Sequence, residues 1–332
     1  MAKWASNKKD HLIFENWRKF VNEQPEDTAP AGSDIKRLPQ DFSQYEVVDV
    51  VNFLNSPEGR DPKVRAMLGA GEQDAAGPGD EKIEVNRQAS PTVGNLKPTQ
   101  NEISLMKSIG FPLSKTASVE NAETGDITGR DKRIVTSGDL VIDGHHRWSS
   151  TWATAGKGVK INAVDIGFPG SGPLNKLAVA QVAIVATMPP DAGNVPKASA
   201  SKPGVKSDNI LGKDAATIKQ MILDRVGQQG DPNAAPLLNP KYLQDIVNLP
   251  AAQRLWGLKP GMTPEQTKEQ IATVVSNNLA DLPAPQGPRR DYMPQFDGGE
   301  THDGEVSMGD VIKKMETGGV NYKADYKPVR NK

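Results

Sequence analysis

The nine residues Leu140-Val141-Ile142-Asp143-Gly144-His145-His146-Arg147-Trp148 decide the fold of this chain. Three apolar residues lead into Asp-Gly, and Trp148 and Trp152 then recur at helical spacing before Gly156. Such a pattern predicts a strand, a tight turn and a helix that ends at the second glycine. The two tryptophans are predicted to pack in the core behind the turn. Residues 143–147, called the motif below, are therefore expected at the N-terminus of a helix.

A glycine turn at the start of a helix is suited to bind an anion. The first backbone N–H groups of a helix have no partner within it, and the helix dipole attracts negative charge to them. Gly144 permits a backbone conformation, or a close approach, that a side chain would obstruct. Arg147 adds a planar fork that matches phosphate oxygens. His145 and His146 add groups expected to titrate near neutral pH, and Asp143 can cap the helix, orient a histidine or bind a metal.

A plainer interpretation of the motif is structural. Asp143 is a good N-cap residue, and a histidine at a helix start is often only a surface residue. Two observations favour a functional site. The chain has four His, two of which are adjacent here. The strand before the motif and the helix after it are also the context that an anion site requires.

The flanking segments predict the rest of a small α/β domain. Thr99 and Glu102 have capping-box spacing, so a helix is expected to begin at Gln100, to bury a stripe that includes Ile103, and to end at Gly110. Strands are predicted at 82–86, 133–136, 140–142 and 159–166, with 137–139 as a hairpin turn and 115–131 as a polar loop.

Outside this region the chain is predicted to form arms. The expected organisation is an amphipathic helix (1–24), a linker with short helices at 44–54 and 62–68 (25–80), the α/β domain (81–188), a linker (189–213), a helical region (214–282) and a flexible tail (283–332). Helices are expected at 174–187, 214–226, 239–248, 264–280 and 308–316, with Thr263 as a cap. The predicted fold is α/β (α+β): one compact domain with extended, mostly helical or irregular N- and C-terminal arms.

Composition agrees with a chain that is only partly compact. Of 332 residues, 36% are hydrophobic and 5% aromatic, and the chain contains 31 Gly and 26 Pro. The absence of Cys excludes disulfides, thiolate nucleophiles and cysteine zinc sites. A net charge of -1 gives no chain-wide attraction for nucleic acid, although a local basic patch stays open. No run approaches the roughly 20 apolar residues that span a bilayer, so no membrane partner is expected, and no secretory signal is expected either.

The N-terminal segment has its own pattern. Within residues 11–23, Ile13, Trp17, Phe20 and Val21 fall on one helical face. A helix this short is marginal in isolation and needs a partner surface. It is expected either to dock on its own chain or to serve as a sorting or docking peptide for another protein.

The motif and the segment before it resemble the ParB/sulfiredoxin superfamily. The residues that carry the resemblance are Leu96-Lys97-Pro98-Thr99-Gln100 before a helix, an Ile-Gly helix end, a hairpin, and Asp143-Gly144-His145-His146-Arg147. ParB proteins have Gly-Glu-Arg-Arg at the corresponding turn, and sulfiredoxins have Gly-Cys-His-Arg. Related free-serine kinases and phage ParB-like nuclease proteins have Asp-Gly-His-x-Arg. The resemblance covers residues 85–168 and implies the sulfiredoxin-like fold.

The resemblance implies that the turn binds the phosphates of a nucleoside triphosphate, ATP or CTP. His145 replaces the catalytic cysteine of sulfiredoxin, which excludes sulfinic-acid reduction. His146 replaces the second arginine of ParB, and no helix-turn-helix is evident downstream, which disfavours chromosome partitioning. What it implies is a phage-encoded nucleotide-binding protein, with phosphoryl transfer, nucleotide hydrolysis and nuclease activity as open alternatives and DNA as a further partner.

Roles for single residues follow from the same hypothesis. The predicted catalytic residues are His145, His146, Asp143 and Glu102, with a histidine as general acid or base. The predicted nucleotide-binding residues are Gly144, His145, Arg147 and Gln100. Asp143 is the predicted ligand of Mg²⁺ beside the phosphates, with Glu102 as another candidate. The capping-box position of Glu102 is its structural alternative.

A second function of another class also stays open. Ile13-Phe14-Glu15 resembles the capsid-targeting peptides of internal head proteins in large tailed phages. A chain without Cys, rich in Gly and Pro and with long arms, is typical of virion proteins. The alternative is therefore a virion-associated or assembly protein that contacts capsid or other virion proteins and uses the fold as a non-catalytic binding module. Its expected location is the host cytoplasm or the virion.

Overall fold

The computed structural model describes residues 41–71, 82–195, 208–229, 234–295 and 307–323. Its sheet consists of β1 (Val85–Ala89), β2 (Lys97–Pro98), β3 (Ile134–Ser137), β4 (Leu140–Asp143) and β5 (Ala163–Ile166), in the order β1-β5-β3-β4-β2. Pairs β1–β5 and β3–β4 are antiparallel, and pairs β3–β5 and β2–β4 are parallel. A mixed sheet with many helices confirms the predicted α/β class.

The helices account for most of the remaining described chain. They are α1 (Val47–Leu54), α2 (Pro62–Leu68), α3 (Leu105–Ile109), α4 (Thr116–Glu123), α5 (His145–Ala155), α6 (Pro173–Thr187), α7 (Ala215–Leu223), α8 (Pro240–Ile246), α9 (Pro250–Trp256), α10 (Pro264–Ala280) and α11 (Met308–Glu316). Short 3-10 turns lie at Phe42–Gln44, Val93–Asn95 and Arg290–Tyr292. In the described part of the chain, no helix is long and apolar enough to cross a membrane.

Alternating strand residues build two cores on the two faces of the sheet. On one face, Val135 and Val164 pack with α6, which α1, α2 and α11 surround. On the other face, Ile134 and Ala163 pack against Trp148 of α5. A third core joins α3 and α4 to α7–α10 and includes Ala153 of α5. Helix α5 therefore lies between the sheet and a layer of helices formed by residues distant from it in the chain.

The β3–β4 hairpin and the helix after it are confirmed. Ser137 pairs with Leu140, so the turn is two residues long instead of the predicted three. Gly138 supplies the positive φ of +63° that such a tight turn needs. Helix α5 ends, as expected, at Gly156 with a φ of +74°. The predicted helices at 62–68, 264–280 and 308–316 also have the expected bounds within one residue.

The predicted helix start at Gln100 is wrong. Thr99 does not cap a helix, because its hydroxyl donates to the carbonyl of Val141 in β4. Helix α3 begins later, at Leu105, where the Ser104 hydroxyl accepts from the Lys107 amide. The Thr99–Glu102 capping box therefore does not form, and the residues between β2 and α3 are free to line the motif.

Other corrections concern weak local patterns. The predicted polar loop 115–131 contains α4, whose buried side includes Val119 and Ala122. The first strand lies three residues later than expected, and β5 is shorter. Helix α9 was not predicted at all. The amphipathic segment 11–23 lies outside the described residues, so its prediction stays a prediction.

Candidate functional site

The corner between β4 and α5 is held by a glycine in the left-handed region. Gly144 is the N-cap residue of α5, with φ 86° and ψ 23°, and no side chain caps this helix. A Cβ at this position would lie 2.7 Å from Cγ2 of Ile134 and 3.0 Å from Nη2 of Arg147. The first hydrogen bond of the helix runs from the Trp148 amide to the Gly144 carbonyl, at 3.0 Å. The N-cap residue itself thus supplies no side-chain oxygen to the first turn of the helix.

The tryptophans fix the helix behind this corner. Trp148 and Trp152 are 0% and 3% exposed, as predicted, and their rings meet edge to face at 5.4 Å. The Trp148 indole N–H donates to the Val93 carbonyl at 3.1 Å, so the buried ring leaves no unpaired donor. The position of the motif is therefore set by two packed indole rings, of which Trp148 is also hydrogen-bonded to the backbone of Val93.

His145 is tied to the chain segment after β2. Its Nε2 atom accepts hydrogen bonds from the amides of Thr99 and Gln100, both at 3.1 Å. Because Nε2 accepts, the ring is neutral and carries its proton on Nδ1. Burial lowers the pKa of His145 to about 3; a hydrogen bond with the Val141 carbonyl opposes this shift, and the charge of Arg290 adds to it.

His146 has a parallel arrangement one residue later. Its Nε2 atom accepts from the amide of Ser104 at 3.2 Å. Burial lowers the pKa of His146 well below its ordinary value, and the charges of Lys107 and Arg290 lower it further. The prediction that both histidines titrate near neutral pH is therefore wrong, because His145 is buried, His146 is partly buried, and each is a neutral acceptor of backbone N–H groups.

Arg147 points back over the corner. Its Nη2 lies 3.5 Å from Oδ2 of Asp143, and both side chains are partly buried. Its Nε atom is buried and has no hydrogen-bond partner. A buried donor without an acceptor is uncommon in proteins, since it loses its water without a replacement.

A second arginine reaches the site from the far end of the chain. We call residues 286–293 the strap. The Gln286 amide donates to the Pro98 carbonyl at 2.7 Å, and Gly287 lies so close that a Cβ would overlap the Thr99 carbonyl oxygen. Further along the strap, the charge of Arg290 contributes to lowering the pKa of both histidines. The Nε atom of Arg290 is also buried without a hydrogen-bond partner. In the sequence, Arg289 and Arg290 are two adjacent basic residues with no neighbouring pattern that could place Arg290 here.

The remaining predicted residues lie beside the same corner. The Gln100 side chain donates to the Glu102 backbone carbonyl. The backbone N–H of Gln100 donates to Nε2 of His145. Within the described ranges, no group of three or more His, Cys, Asp or Glu residues converges as a metal site would require. Mg²⁺ binding by Asp143 or Glu102 therefore stays a prediction.

The three serine hydroxyls of Ser104, Ser108 and Ser149 are not arranged as nucleophiles activated by a histidine. The Ser104 hydroxyl donates to Asp208 at 2.8 Å, and the Ser108 and Ser149 hydroxyls bond each other at 2.7 Å. His146 bonds the backbone of Ser104 and leaves its hydroxyl to the carboxylate. A serine activated by an adjacent histidine base would need the opposite arrangement.

The structure thus brings together Gln100, Asp143, Gly144, His145, His146 and Arg147, with Glu102 in contact with Gln100. The arrangement is a glycine corner with two neutral histidines, the Arg147–Asp143 pair, and the charges of Lys107 and Arg290 acting on the histidines. Comparisons of the chain with models of known protein families, with curated proteins and with solved structures found no match.

Proposed function

We propose that this chain binds a phosphate-bearing ligand, a nucleotide, at the N-terminus of α5. One observation carries the proposal: the first turn of α5 has no side-chain cap, and Arg147 within that turn keeps its Nε buried without an acceptor. An unpaired buried donor costs about 1–3 kcal/mol. A phosphate oxygen would supply the acceptor, and the first amides of the helix would add to its binding.

The charges around the corner support an anionic ligand. Lys107 and Arg290 are close enough to His146 to act on its ionisation, and Arg147 lies in the same turn. Both histidines are neutral and contribute no charge of their own at neutral pH. Asp143 is the carboxylate paired with Arg147. Helix dipole and guanidinium groups therefore act in the same direction on a ligand at this position.

The histidines favour binding over turnover. A base with a pKa of about 3, as for His145, takes up a proton poorly at neutral pH, and a neutral imidazole has no second proton to donate. The Nε2 atoms of His145 and His146 are already occupied by backbone amides. We therefore propose a nucleotide-binding module in which the two histidines position the corner. Phosphoryl transfer, nucleotide hydrolysis and nuclease activity stay predictions.

A thermal-shift screen of ATP, CTP and GTP, each with and without Mg²⁺, tests the binding proposal. A ligand at one hundred times its Kd adds about 2.7 kcal/mol to folding stability, so it raises the Tm by several degrees. Arg147→Gln is expected to abolish this shift. Arg254→Gln removes the same charge from an exposed pair with Glu123 and should leave the shift unchanged. The proposal fails if no nucleotide stabilises the wild type, or if Arg147→Gln responds like the wild type.

Turnover is tested separately by release of inorganic phosphate from the bound nucleotide. We expect none above the uncatalysed rate, with or without Mg²⁺. Release that is lost in His146→Ala would instead support the catalytic prediction for that residue. The virion alternative depends on residues 11–23, which lie outside the described ranges, so no contact described here favours it.

A further inference from the structure

Arg290 is held in position by both ends of the strap. At its start, Gln286 and Gly287 contact the backbone of Pro98 and Thr99, the residues that follow directly on β2. At its end, Met293 is 3% exposed within the core that contains α6. Arg290 lies between these anchors in the 3-10 turn Arg290–Tyr292. The arginine is thus presented by a fixed backbone, and its guanidinium is not required to hold the strap in place.

The two arginines belong to different parts of the chain: Arg147 lies in the first turn of α5, and Arg290 lies on the strap, whose backbone packs on Thr99. Arg147 folds back toward Gly144, beside Asp143 and Ile134 of the central strands. The histidine rings instead face the segment 99–104, and Arg290 acts on those rings. Each arginine has a buried Nε without an acceptor. A phosphate oxygen that accepts from Nε of Arg147 satisfies one of these two donors, and Nε of Arg290 needs an acceptor of its own.

We propose that Arg290 is a second phosphate-binding residue of this site, and that the ligand carries two linked phosphate groups. Pyrophosphate and nucleoside di- and triphosphates belong to this class. In this arrangement the first phosphate binds at the N-terminus of α5 with Arg147, and the next phosphate binds Arg290 on the histidine side. The inference rests on the proposed function and adds a second anionic position to it.

Isothermal titration of the full chain with inorganic phosphate and with pyrophosphate, at matched ionic strength, tests the assignment. The wild type is expected to bind pyrophosphate about tenfold or more tightly than phosphate, because a second charge-assisted fork is used. Arg290→Gln should lose that preference, with phosphate affinity within about twofold of the wild type. Arg147→Gln should weaken both ligands.

Two further variants keep the test sharp. Arg289→Gln makes the same change at the exposed neighbouring position and should retain the preference for pyrophosphate. Arg290→Lys keeps the charge but lacks the planar guanidinium, and should lose most of the preference for pyrophosphate over phosphate. This variant also replaces Arg290→Gln in the test if Arg290→Gln folds poorly. Pyrophosphate binding that is unchanged in both Arg290 variants overturns the inference and leaves the proposed function standing. If the Arg290 variants bind phosphate and pyrophosphate more weakly by the same factor, the two-phosphate assignment is overturned. A wild type that binds neither ligand nor any nucleotide rejects both proposals.

Discussion

The N-termini of α5 and α10 differ in how their first backbone N–H groups are capped. In α10 the Thr263 hydroxyl accepts from the Gln266 amide at 3.2 Å, and the Gln266 side chain accepts from the Thr263 amide at 2.9 Å. In α5 the N-cap residue is Gly144, which has no side chain to offer. The first turn of α10 is capped by its own side chains, whereas the first turn of α5, which contains Arg147, receives no cap from its N-cap residue.

The difference shows that the open end is a local property of the corner. The other end of α5 is closed: Trp256 Nε1 donates to the Thr154 carbonyl at 2.9 Å, and Asn278 Nδ2 donates to the Ala153 carbonyl at 3.0 Å. Side chains from α9 and α10 therefore satisfy carbonyl groups at the C-terminal end of α5. At the corner, stability is expected to depend on the backbone conformation of Gly144 and on the buried His145. At the start of α10, it is expected to depend on a surface cap alone.

The largest effect is expected from His145→Leu. The variant removes the acceptor of two buried amides, those of Thr99 and Gln100, and two such losses together cost about 4 kcal/mol. His145→Gln keeps an acceptor at similar reach and should cost less than half as much. Urea unfolding of both variants measures the difference. A His145→Leu protein within 1 kcal/mol of the wild type would show that these hydrogen bonds do not hold the corner.

Gly144→Ala should destabilise the protein by about 3 kcal/mol. The new Cβ would be strained at a φ of +86° and would crowd Ile134 and Arg147. Gly257→Ala is the matched control, since Gly257 also has a positive φ of +66° but its nearest neighbour, Gln270, lies 3.5 Å away. The control should lose about 1 kcal/mol by strain alone. Equal losses in the two variants would mean that the close approach at Gly144 contributes nothing.

Acid should destabilise the fold through the histidines. The folded pKa of His145 is about 3, below the ordinary value of 6.5, so between these values the unfolded chain binds a proton that the folded chain excludes. Stability is therefore complete above pH 6.5 and falls as the pH drops toward 3, by up to about 1.4 kcal/mol per unit for this histidine. His146 acts in the same direction.

The comparison that isolates this effect is unfolding of the wild type and His145→Gln at pH 7, 6, 5 and 4. The glutamine variant should have the shallower dependence on pH, since it cannot titrate. Parallel curves for the two proteins would assign the acid sensitivity to other groups.

The smallest effect is expected at the closed helix end. Thr263→Ala removes one exposed cap hydrogen bond and should cost about 1 kcal/mol. Nucleotide-dependent stabilisation should be unchanged, because α10 contributes its cap to its own first turn only. A Thr263→Ala variant that no longer responds to nucleotide would remove the distinction between the two helix ends.

The sequence predicts those parts of the fold that depend on contiguous residues. The hairpin and α5 follow from patterns within 133–156, and the cap of α10 follows from Thr263 and its neighbours. The start of α3 was wrong because Thr99 uses its hydroxyl on Val141, 42 positions away. Helix α4 was missed because few apolar residues mark its buried face. Parallel pairing of β2 with β4 has no local signature either.

The same limit applies to the candidate site. Residues 143–147 could be found because a glycine, two histidines and an arginine stand together in the sequence. The protonation state of the two histidines could not be predicted, because it depends on burial and on backbone amides supplied by the segment 99–104. Arg290 could not be placed because contacts with residues distant in sequence, Gln286 with Pro98 and Gly287 with Thr99, bring the strap to the corner.

Gly287 has a consequence for any attempt to shorten this protein. A fragment ended after residue 282 would contain every residue of the motif, yet it would uncover the Pro98 carbonyl and lose the backbone packed on Thr99. Because the Thr99 amide is one of the two that hold His145, such a deletion would loosen the motif from outside it. Deletion mapping guided by the motif alone would therefore report a defect whose origin lies at the removed end of the chain.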